Sequence, residues 1–352
     1  MMPVELASDR RPGMAASRLA RLVREAVERC QLDLNDVEVL TEAASGPYVV
    51  TPVIAALAGA RVTAIAAESR YGSVKQIVAA TMDLASSLKV ADRITVTDHR
   101  TPELFAEADV VTNSGFVRPI TGEFARAVRS SAVLPLMFES WEIQSGRLDL
   151  DLGSLLARGV QIAGTNERHP NVDVFSYLGS MAVAQLADAG VSAYRGRVTL
   201  LCDNPFHDYL IDGLKGAGAD VRAADTLADL RDDPQPDALI VALTPRVESP
   251  WSADDLAKLT RSWPDTVVVQ FWGDIDRALC DAAGLSYWPA ADPGQGHMGV
   301  LPSRVGPEPI VRLQTGGLKV AQVLRIPAAA RTSDDLAYLD PLTEEHQVWT
   351  AP

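Results

Sequence analysis

Short apolar strands alternate with amphipathic helices along most of this chain, and that alternation restricts the fold more than any other feature. A first series runs from the strand at residues 37–41 to the strand at residues 160–163, and a second begins at Gly196. Strands that are joined through helices run parallel, with helices on both faces of the sheet. The sequence therefore predicts an α/β protein with two doubly wound parallel-sheet domains.

A polar turn, G-T-N-E-R-H-P at residues 164–170, lies between the two series and precedes a helical pattern that includes Val172, Phe175 and Leu178. We interpret it as a hinge. The expected division is an N-terminal arm and helix (1–35), a first α/β substrate domain (36–165), a hinge helix (166–190), a second nucleotide-binding-like domain (191–305), and a returning helix and tail (306–352). The apolar pattern at residues 310–324 predicts a long helix that returns to the first domain and is broken or kinked at Gly316 and Gly317.

Composition excludes several classes of protein. The chain has 352 residues and a formal charge of −14, with a pI near 4.8, and such acidity argues against a nucleic-acid partner. It has neither a signal-peptide pattern nor an apolar run of about 18 residues. Three widely spaced cysteines give no disulfide framework and no zinc spacing. We expect a cytoplasmic protein without membrane, metal or nucleic-acid partners, and, by analogy with similar folds only, a homodimer.

Polar turns follow the predicted strands of the first series. The carboxyl ends of parallel strands lie on one edge of a sheet, so these turns are expected to converge. Guanidinium groups pair with planar anions, which predicts a small anionic substrate in a cleft between the domains. The alternative is ordinary polar loops in which each arginine pairs with a nearby acid. The predicted substrate-binding residues are Ser45, Tyr48, Glu68, Arg70, Asn113, Arg118, Asn166 and Arg168.

Three residues are predicted to be catalytic. His297 lies in P-G-Q-G-H-M-G at residues 293–299, where glycines allow close approach to a ligand and the imidazole titrates near neutral pH. His169 lies in the hinge turn, and Glu139 follows another strand of the first series. For His297 the alternative is an exposed histidine in a flexible loop.

The second series resembles the NAD-binding half of the formate/glycerate dehydrogenase superfamily, which includes D-2-hydroxyacid dehydrogenases and S-adenosylhomocysteine hydrolase. Six segments carry this resemblance: G-R-V at 196–198, G-L-K-G-A-G-A-D-V at 213–221, Asp225, Q-F-W-G-D-I-D at 270–276, the Gly296-His297 step before a long helix, and Thr165-Asn166 before the hinge helix. The resemblance implies two Rossmann-like domains, a bound NAD(P), and His297 as an acid–base group facing the cleft.

One departure from this family concerns the cofactor. A dinucleotide fold has G-x-G-x-x-G after its first strand, but this chain has C-D-N-P-F-H-D at residues 202–208. Asp203 would place a negative charge near the pyrophosphate, whereas Asp225 follows the second strand, where an acid binds a ribose hydroxyl. NAD(P) binding is thus an open prediction. Its predicted residues are Asp203, Asn204, His207, Asp225, Thr244 and Trp272.

Three functions follow from these patterns. The first is an NAD(P)-dependent oxidoreductase-like or S-adenosylhomocysteine-hydrolase-like enzyme that acts on a small anionic substrate. The second is a non-redox ligand-binding or accessory protein with a degenerate cofactor site. The third is an S-adenosylmethionine-dependent methyltransferase-like enzyme that uses the first domain, because T-E-A-A-S-G at residues 41–46 follows one strand and Glu68 follows the next.

Overall fold

A computed structural model describes residues 11–69, 72–145, 149–230, 234–246 and 249–342. These residues form two compact units. The first contains the chain up to Ile143, the stretch that ends at Val174, and the chain from Gly306 onward, and the second contains Phe175–Val305. The chain therefore enters the second unit after Val174 and returns to the first after Val305.

Within the described residues the strands, in chain order, are β1 (Glu38–Glu42), β2 (Arg61–Ile65), β3 (Ile94–Thr97), β4 (Val110–Val111), β5 (Val133–Pro135), β6 (Gln161–Thr165), β7 (Arg197–Leu201), β8 (Asp220–Ala224), β9 (Ala238–Ala242), β10 (Val267–Trp272), β11 (Ser286–Trp288) and β12 (Leu339–Pro341). The helices are α1 (Ala16–Arg29), α2 (Val50–Leu57), α3 (Val74–Ser87), α4 (Pro102–Glu107), α5 (Gly122–Ala127), α6 (Leu152–Ala157), α7 (Leu178–Asp188), α8 (His207–Gly216), α9 (Ala253–Ser262), α10 (Arg277–Ala283), α11 (Glu308–Arg325) and α12 (Ser333–Leu336). None of the helices in these ranges is long and apolar enough to cross a lipid bilayer.

The sheet of the first unit has the order β12-β6-β5-β4-β1-β2-β3. Strands β1 to β6 are parallel, and β12 is added antiparallel to β6 at one edge. Counted from β3, the parallel strands follow the order 3-2-1-4-5-6 of dinucleotide-binding folds. In this order the chain reverses its direction of winding between β1 and β4, and ligands of open α/β sheets bind at that switch point.

Neighbouring strand residues face opposite sides of this sheet, so each strand supplies two cores. Val39 and Val110 pack with α1, α2, α3 and α11 on one face, whereas Leu40 and Val111 pack with α4, α5 and α6 on the other. Burial on both faces explains why these strands are apolar throughout rather than alternating. The predicted doubly wound parallel sheet is confirmed.

Helix α11 returns to the first unit, as the sequence predicted, but it is one uninterrupted helix where a break or kink was expected at Gly316 and Gly317. The two glycines serve close packing instead. A Cβ on Gly316 would lie 2.8 Å from a methyl carbon of Val172, and one on Gly317 would collide with the Met137 sulfur. Their lack of side chains lets α11 lie close against the ends of β5 and β6.

The second unit has five parallel strands in the order β11-β10-β9-β7-β8. Counted from β8, this is the order 2-1-3-4-5 of the other common doubly wound fold, with its switch point between β7 and β9. Helices α9 and α10 pack on one face. On α7 and α8, Gly179 and Gly213 touch backbone to backbone. Both sheets are thus Rossmann-like.

The helical pattern across the hinge spans two cores. Val172 is buried in the core of the first unit, in the turn before the chain crosses to the second. A 3-10 turn at Phe175–Tyr177 follows, and α7 begins only at Leu178. The expectation that Val172 and Leu178 share one helix face was therefore wrong, because apolar residues at helical spacing here belong to separate elements.

Candidate functional site

The carboxyl edge of the first sheet gathers most of the predicted substrate-binding residues. Strands β1 to β6 are parallel, so the turns after β1, β2, β4, β5 and β6 all open on the same edge. The predicted residues in or beside these turns are Ser45, Tyr48, Glu68, Asn113, Arg118, Asn166 and Arg168, and Glu139 joins them after β5. Arg70 lies outside the described residues.

Glu139 is the centre of one cluster on this edge. Its side chain is fully buried, and it accepts hydrogen bonds from Arg168 Nε at 3.0 Å, Trp141 Nε1 at 2.8 Å and the Glu167 amide at 3.2 Å. Burial raises the pKa of Glu139, and the bonds from Trp141 and Arg168 oppose that rise. The Arg168 side chain is 46% exposed, so its charge reaches the solvent side of the cluster.

Glu167, which the sequence did not single out, lies next to this pair. It is buried, and that burial, together with the negative charges of Glu142 and Glu139, raises its pKa well above the ordinary value. A carboxyl group in such a setting keeps its proton where exposed acids lose theirs. Glu167 stands between Asn166 and Arg168 in a turn of uniformly polar residues, and that pattern does not reveal which side chain is buried.

The C-terminal strand β12 closes over the same cluster. Asp340 accepts hydrogen bonds from the Ser140 amide at 2.6 Å and from its hydroxyl at 2.8 Å. The Asn166 side chain donates to the Ala337 carbonyl at 2.8 Å. The structure thus uses Asn166 to anchor the C-terminal segment. Asn113 has a comparable role, because its buried side chain accepts the Met137 amide at 2.9 Å.

The two predicted catalytic histidines differ in their hydrogen bonds. His169 stacks on Tyr338 with ring centres 3.8 Å apart, and its Nδ1 accepts the Asn171 amide at 3.1 Å. His297 is exposed, and its Nδ1 lies 2.9 Å from the Gln295 carbonyl oxygen, which can only accept. Neutral His169 therefore carries its proton on Nε2, and neutral His297 carries it on Nδ1.

We expect nitrogen-detected NMR of the histidine rings at alkaline pH to show these opposite tautomers. His169 would offer an Nε2–H donor, and His297 an Nε2 lone pair, so only His297 would be arranged as a base. Burial lowers the pKa of His169, with the charge of Asp334 opposing, so His169 should become neutral at lower pH than an ordinary histidine. The same tautomer on both rings would contradict the hydrogen bonds.

A second cluster lies at the switch point between β1 and β4. Three hydroxyl groups bond to one another there: Thr112 Oγ1 lies 2.9 Å from Thr41 Oγ1 and 2.7 Å from Ser114 Oγ. Glu42, the last residue of β1, is buried, and its carboxylate accepts the Phe116 amide at 3.4 Å. Burial raises the pKa of Glu42 to about 7, opposed by that bond and by the charge of Arg118.

The turn after β7 is the place where a dinucleotide fold would hold a pyrophosphate, and its residues do not fit one. Asn204 Oδ1 accepts the Phe206 amide at 3.1 Å, so an amide near the helix start is already bonded. Asp203 is held by the Thr244 amide at 2.7 Å and its hydroxyl at 3.0 Å, and it keeps a carboxylate in the turn. Side chains of the turn itself thus occupy the position that glycines leave open for phosphate.

The other predicted cofactor-binding residues differ in how well they fit a dinucleotide. The buried ring of Phe206 packs at 5.3 Å on Trp272, whose Nε1 donates to the Gly296 carbonyl at 3.1 Å. His207 pairs with Asp208 at 2.8 Å. Asp225 is exposed just after β8, the one position that matches a ribose-binding acid. No group of three or more His, Cys, Asp or Glu side chains within the described ranges is arranged for a metal ion.

Comparison with known proteins gives likenesses of fold. No family model matches the sequence, and no curated protein matches it. A dipicolinate synthase chain from Bacillus halodurans is 12% identical, with 84% of this chain and 100% of that chain covered and a TM-score of 0.49. Transhydrogenase from Sinorhizobium meliloti is 14% identical (82% and 94% covered, TM-score 0.45), and NAD+-bound 3-phosphoglycerate dehydrogenase from Entamoeba histolytica is 8% identical (82% and 94% covered, TM-score 0.43).

The structural neighbours thus include dehydrogenases. They are the kind of protein to which the sequence resemblance pointed, and the likeness is one of fold. Identities of this size and TM-scores below 0.5 carry no argument about activity. The cofactor and substrate of this chain have to follow from its own side chains.

Proposed function

We propose that this chain is an enzyme that binds a small anionic molecule at the carboxyl edge of the first sheet and transfers a proton there. The observation that carries the proposal is the ion pair between the buried Glu139 and the half-exposed Arg168, with Glu167 beside it. Buried acids with raised pKa values at a strand-end edge are candidates for acid–base work. In this proposal Arg168 holds the anion, and Glu139 and Glu167 exchange the proton.

A structural ion pair is the competing interpretation, and the geometry gives a reason to prefer the functional one. An isolated Arg–Glu pair satisfies its own charges, but here the charges of Glu142 and Asp340 also act on the carboxyl groups beside Arg168. Burying like charges together costs free energy that a purely structural arrangement has no need to bear. Strained electrostatics of this kind concentrate at functional sites.

Oxidation or reduction with NAD(P) is the second candidate reaction. The strand order 3-2-1-4-5-6 of the first sheet favours a nucleotide ligand, whereas the turn after β7 does not fit a pyrophosphate. A methyltransferase-like enzyme would bind its S-adenosyl ligand at the turn after β1 in the first unit. In that turn Gly46 has a φ of 61° and open space beside its α-carbon. The cleft between the two domains stays a prediction, as do the domain boundaries and the cytoplasmic location.

Fluorescence titrations would test these functions. Purified protein would be titrated with NAD(H), NADP(H), S-adenosylmethionine and a panel of small 2-oxo and 2-hydroxy acids, and assayed for turnover in mixtures. We expect an acid of the panel to bind, and R168Q to weaken that binding by about tenfold or more, since charge-assisted bonds to carboxylates are strong.

R126Q is the matched control. Arg126 is exposed near the end of α5, and the chain goes from α5 to the start of β5, which lies at the opposite edge of the sheet. Equal binding by R168Q and R126Q would contradict the proposal. E139Q should bind the acid but lose turnover, which separates holding the anion from moving the proton. Binding of an acid without turnover under any condition would favour the non-redox binding protein.

A further inference from the structure

The switch point between β1 and β4 brings together two side chains from distant parts of the first unit. Glu42 ends β1, and Arg118 follows a short 3-10 turn (Gly115–Val117) after β4. The Arg118 charge acts on the Glu42 carboxyl group. Seventy-odd residues of chain separate them, so only the parallel pairing of β1 with β4 makes them neighbours.

Arg118 has an unused donor. Its NH1 group pairs with Asp149 at 3.1 Å, but its Nε is buried and has no hydrogen-bond partner in the described part of the chain. Buried polar groups are nearly always bonded, and one that is not has lost its hydration without replacement. An oxygen atom that accepts from Arg118 Nε would therefore stabilise this arrangement.

Glu42 is held in place by a close backbone approach. A Cβ on Gly115 would collide with the Glu42 carboxyl oxygen, so the turn after β4 can lie against Glu42 only because residue 115 is glycine. Near neutral pH Glu42 carries a proton about half the time, since burial raises its pKa to about 7. In that form it is an O–H donor that lies against the turn preceding Arg118.

Hydroxyl groups lie at the same ends of these two strands. Thr41, Thr112 and Ser114 bond to one another there, and because neighbouring strand residues alternate, Thr41 faces the side of the sheet opposite to Glu42. Two donors, one cationic and one neutral, match the two oxygens of a planar carboxylate better than any neutral ligand. If Glu42 were ionised, the carboxylate of the ligand would lie next to a like charge, which is unfavourable. Binding of the ligand is therefore connected to protonation of Glu42.

We propose that Glu42 and Arg118 form a binding site for a small carboxylate at the β1–β4 switch point, in which Arg118 Nε and the protonated Glu42 each donate to the ligand. The inference deepens the proposed function by naming the substrate class and a second acid group of the same sheet edge. Because the bound anion requires the Glu42 proton, affinity falls with rising pH. Between pH 6 and pH 8 the dissociation constant should rise by about tenfold.

Isothermal titration calorimetry of the full chain with pyruvate, at pH 6 and pH 8, tests this site. Wild type should bind about tenfold more weakly at pH 8 and should take up a proton there, which shows as a dependence of the heat on the buffer. E42Q keeps a donor but cannot titrate, so its affinity should be the same at both pH values. R118K keeps the charge opposite Asp149 but loses Nε–H, and its affinity should fall at least tenfold.

E107Q is the control, because Glu107 is exposed at the end of α4, on the opposite edge of the sheet. Circular dichroism would establish that each variant is folded. Pyruvate binding that is equally pH-dependent in wild type and E42Q would overturn the inference, as would unchanged affinity in R118K. If R168Q abolishes binding while E42Q and R118K do not, the proposed function stands and this site fails.

Two further outcomes separate the ligand classes. Inorganic phosphate would be titrated in the same way. If phosphate binds and E42Q and R118K change its affinity as predicted for pyruvate, while pyruvate itself does not bind, the carboxylate assignment is overturned. If neither pyruvate nor phosphate binds and the panel of acids also gives no signal, the proposed function fails together with this site.

Discussion

Replacing Gly213 with alanine should lower the free energy of unfolding by about 3 kcal/mol, near the upper end of the range for overpacking. A Cβ on Gly213 would overlap the Gly179 α-carbon, and a Cβ on Gly179 would lie 2.5 Å from the Gly213 α-carbon and 2.9 Å from the Tyr209 carbonyl oxygen. These neighbours are backbone atoms, which cannot rotate away as a side chain can. Helices α7 and α8 would have to separate, and their shared packing would be lost.

G216A on the same helix is the matched control. No atom lies within 4 Å of a Cβ at Gly216, and alanine favours a helix over glycine by up to about 1 kcal/mol. G216A should therefore be as stable as wild type or more stable. Urea denaturation followed by circular dichroism and tryptophan fluorescence measures both. Equal stability of G213A and G216A would show that α7 and α8 do not touch through their glycines.

Replacing Glu42 with glutamine should stabilise the chain at pH 8 but not at pH 4.5. Burial raises the pKa of folded Glu42 from 4.5 to about 7, so the folded state binds the proton more tightly than the unfolded state. Stability therefore falls as pH rises from about 4.5 through 7. At about 1.36 kcal/mol per pKa unit, the cost above pH 7 approaches about 3 kcal/mol, and E42Q does not bear it.

The measurement is the difference in unfolding free energy between wild type and E42Q across this pH range. The contributions of the other titrating groups are the same in both proteins and cancel in this difference. Two neighbouring groups oppose the rise in the pKa of Glu42: the Phe116 amide and the charge of Arg118. In E42Q the glutamine side-chain oxygen can still accept the hydrogen bond from the Phe116 amide. E107Q should follow the wild-type curve. Parallel curves for wild type and E42Q would mean that Glu42 is ionised and solvated in the folded chain.

The regular part of the fold was predictable because local patterns decide it. The strands predicted at residues 37–41 and 160–163 are present as β1 and β6, with ends that differ by one or two residues. Strand β12 was missed because Leu339–Pro341 has no apolar run, and it is a strand only through pairing with β6. The hinge helix was placed too early because Val172 fits the helical period but packs in another core.

By itself the sequence determined two parallel α/β sheets and which side chains end their strands, including Glu139, Arg118 and Arg168. The tertiary structure alone decided which of those side chains are buried, and it added Glu42 and Glu167. It also assigned the two histidine tautomers through bonds to Asn171 and Gln295. The physical reason is that strand periodicity is a local property of the chain, whereas desolvation and charge depend on segments that meet only when the sheet forms.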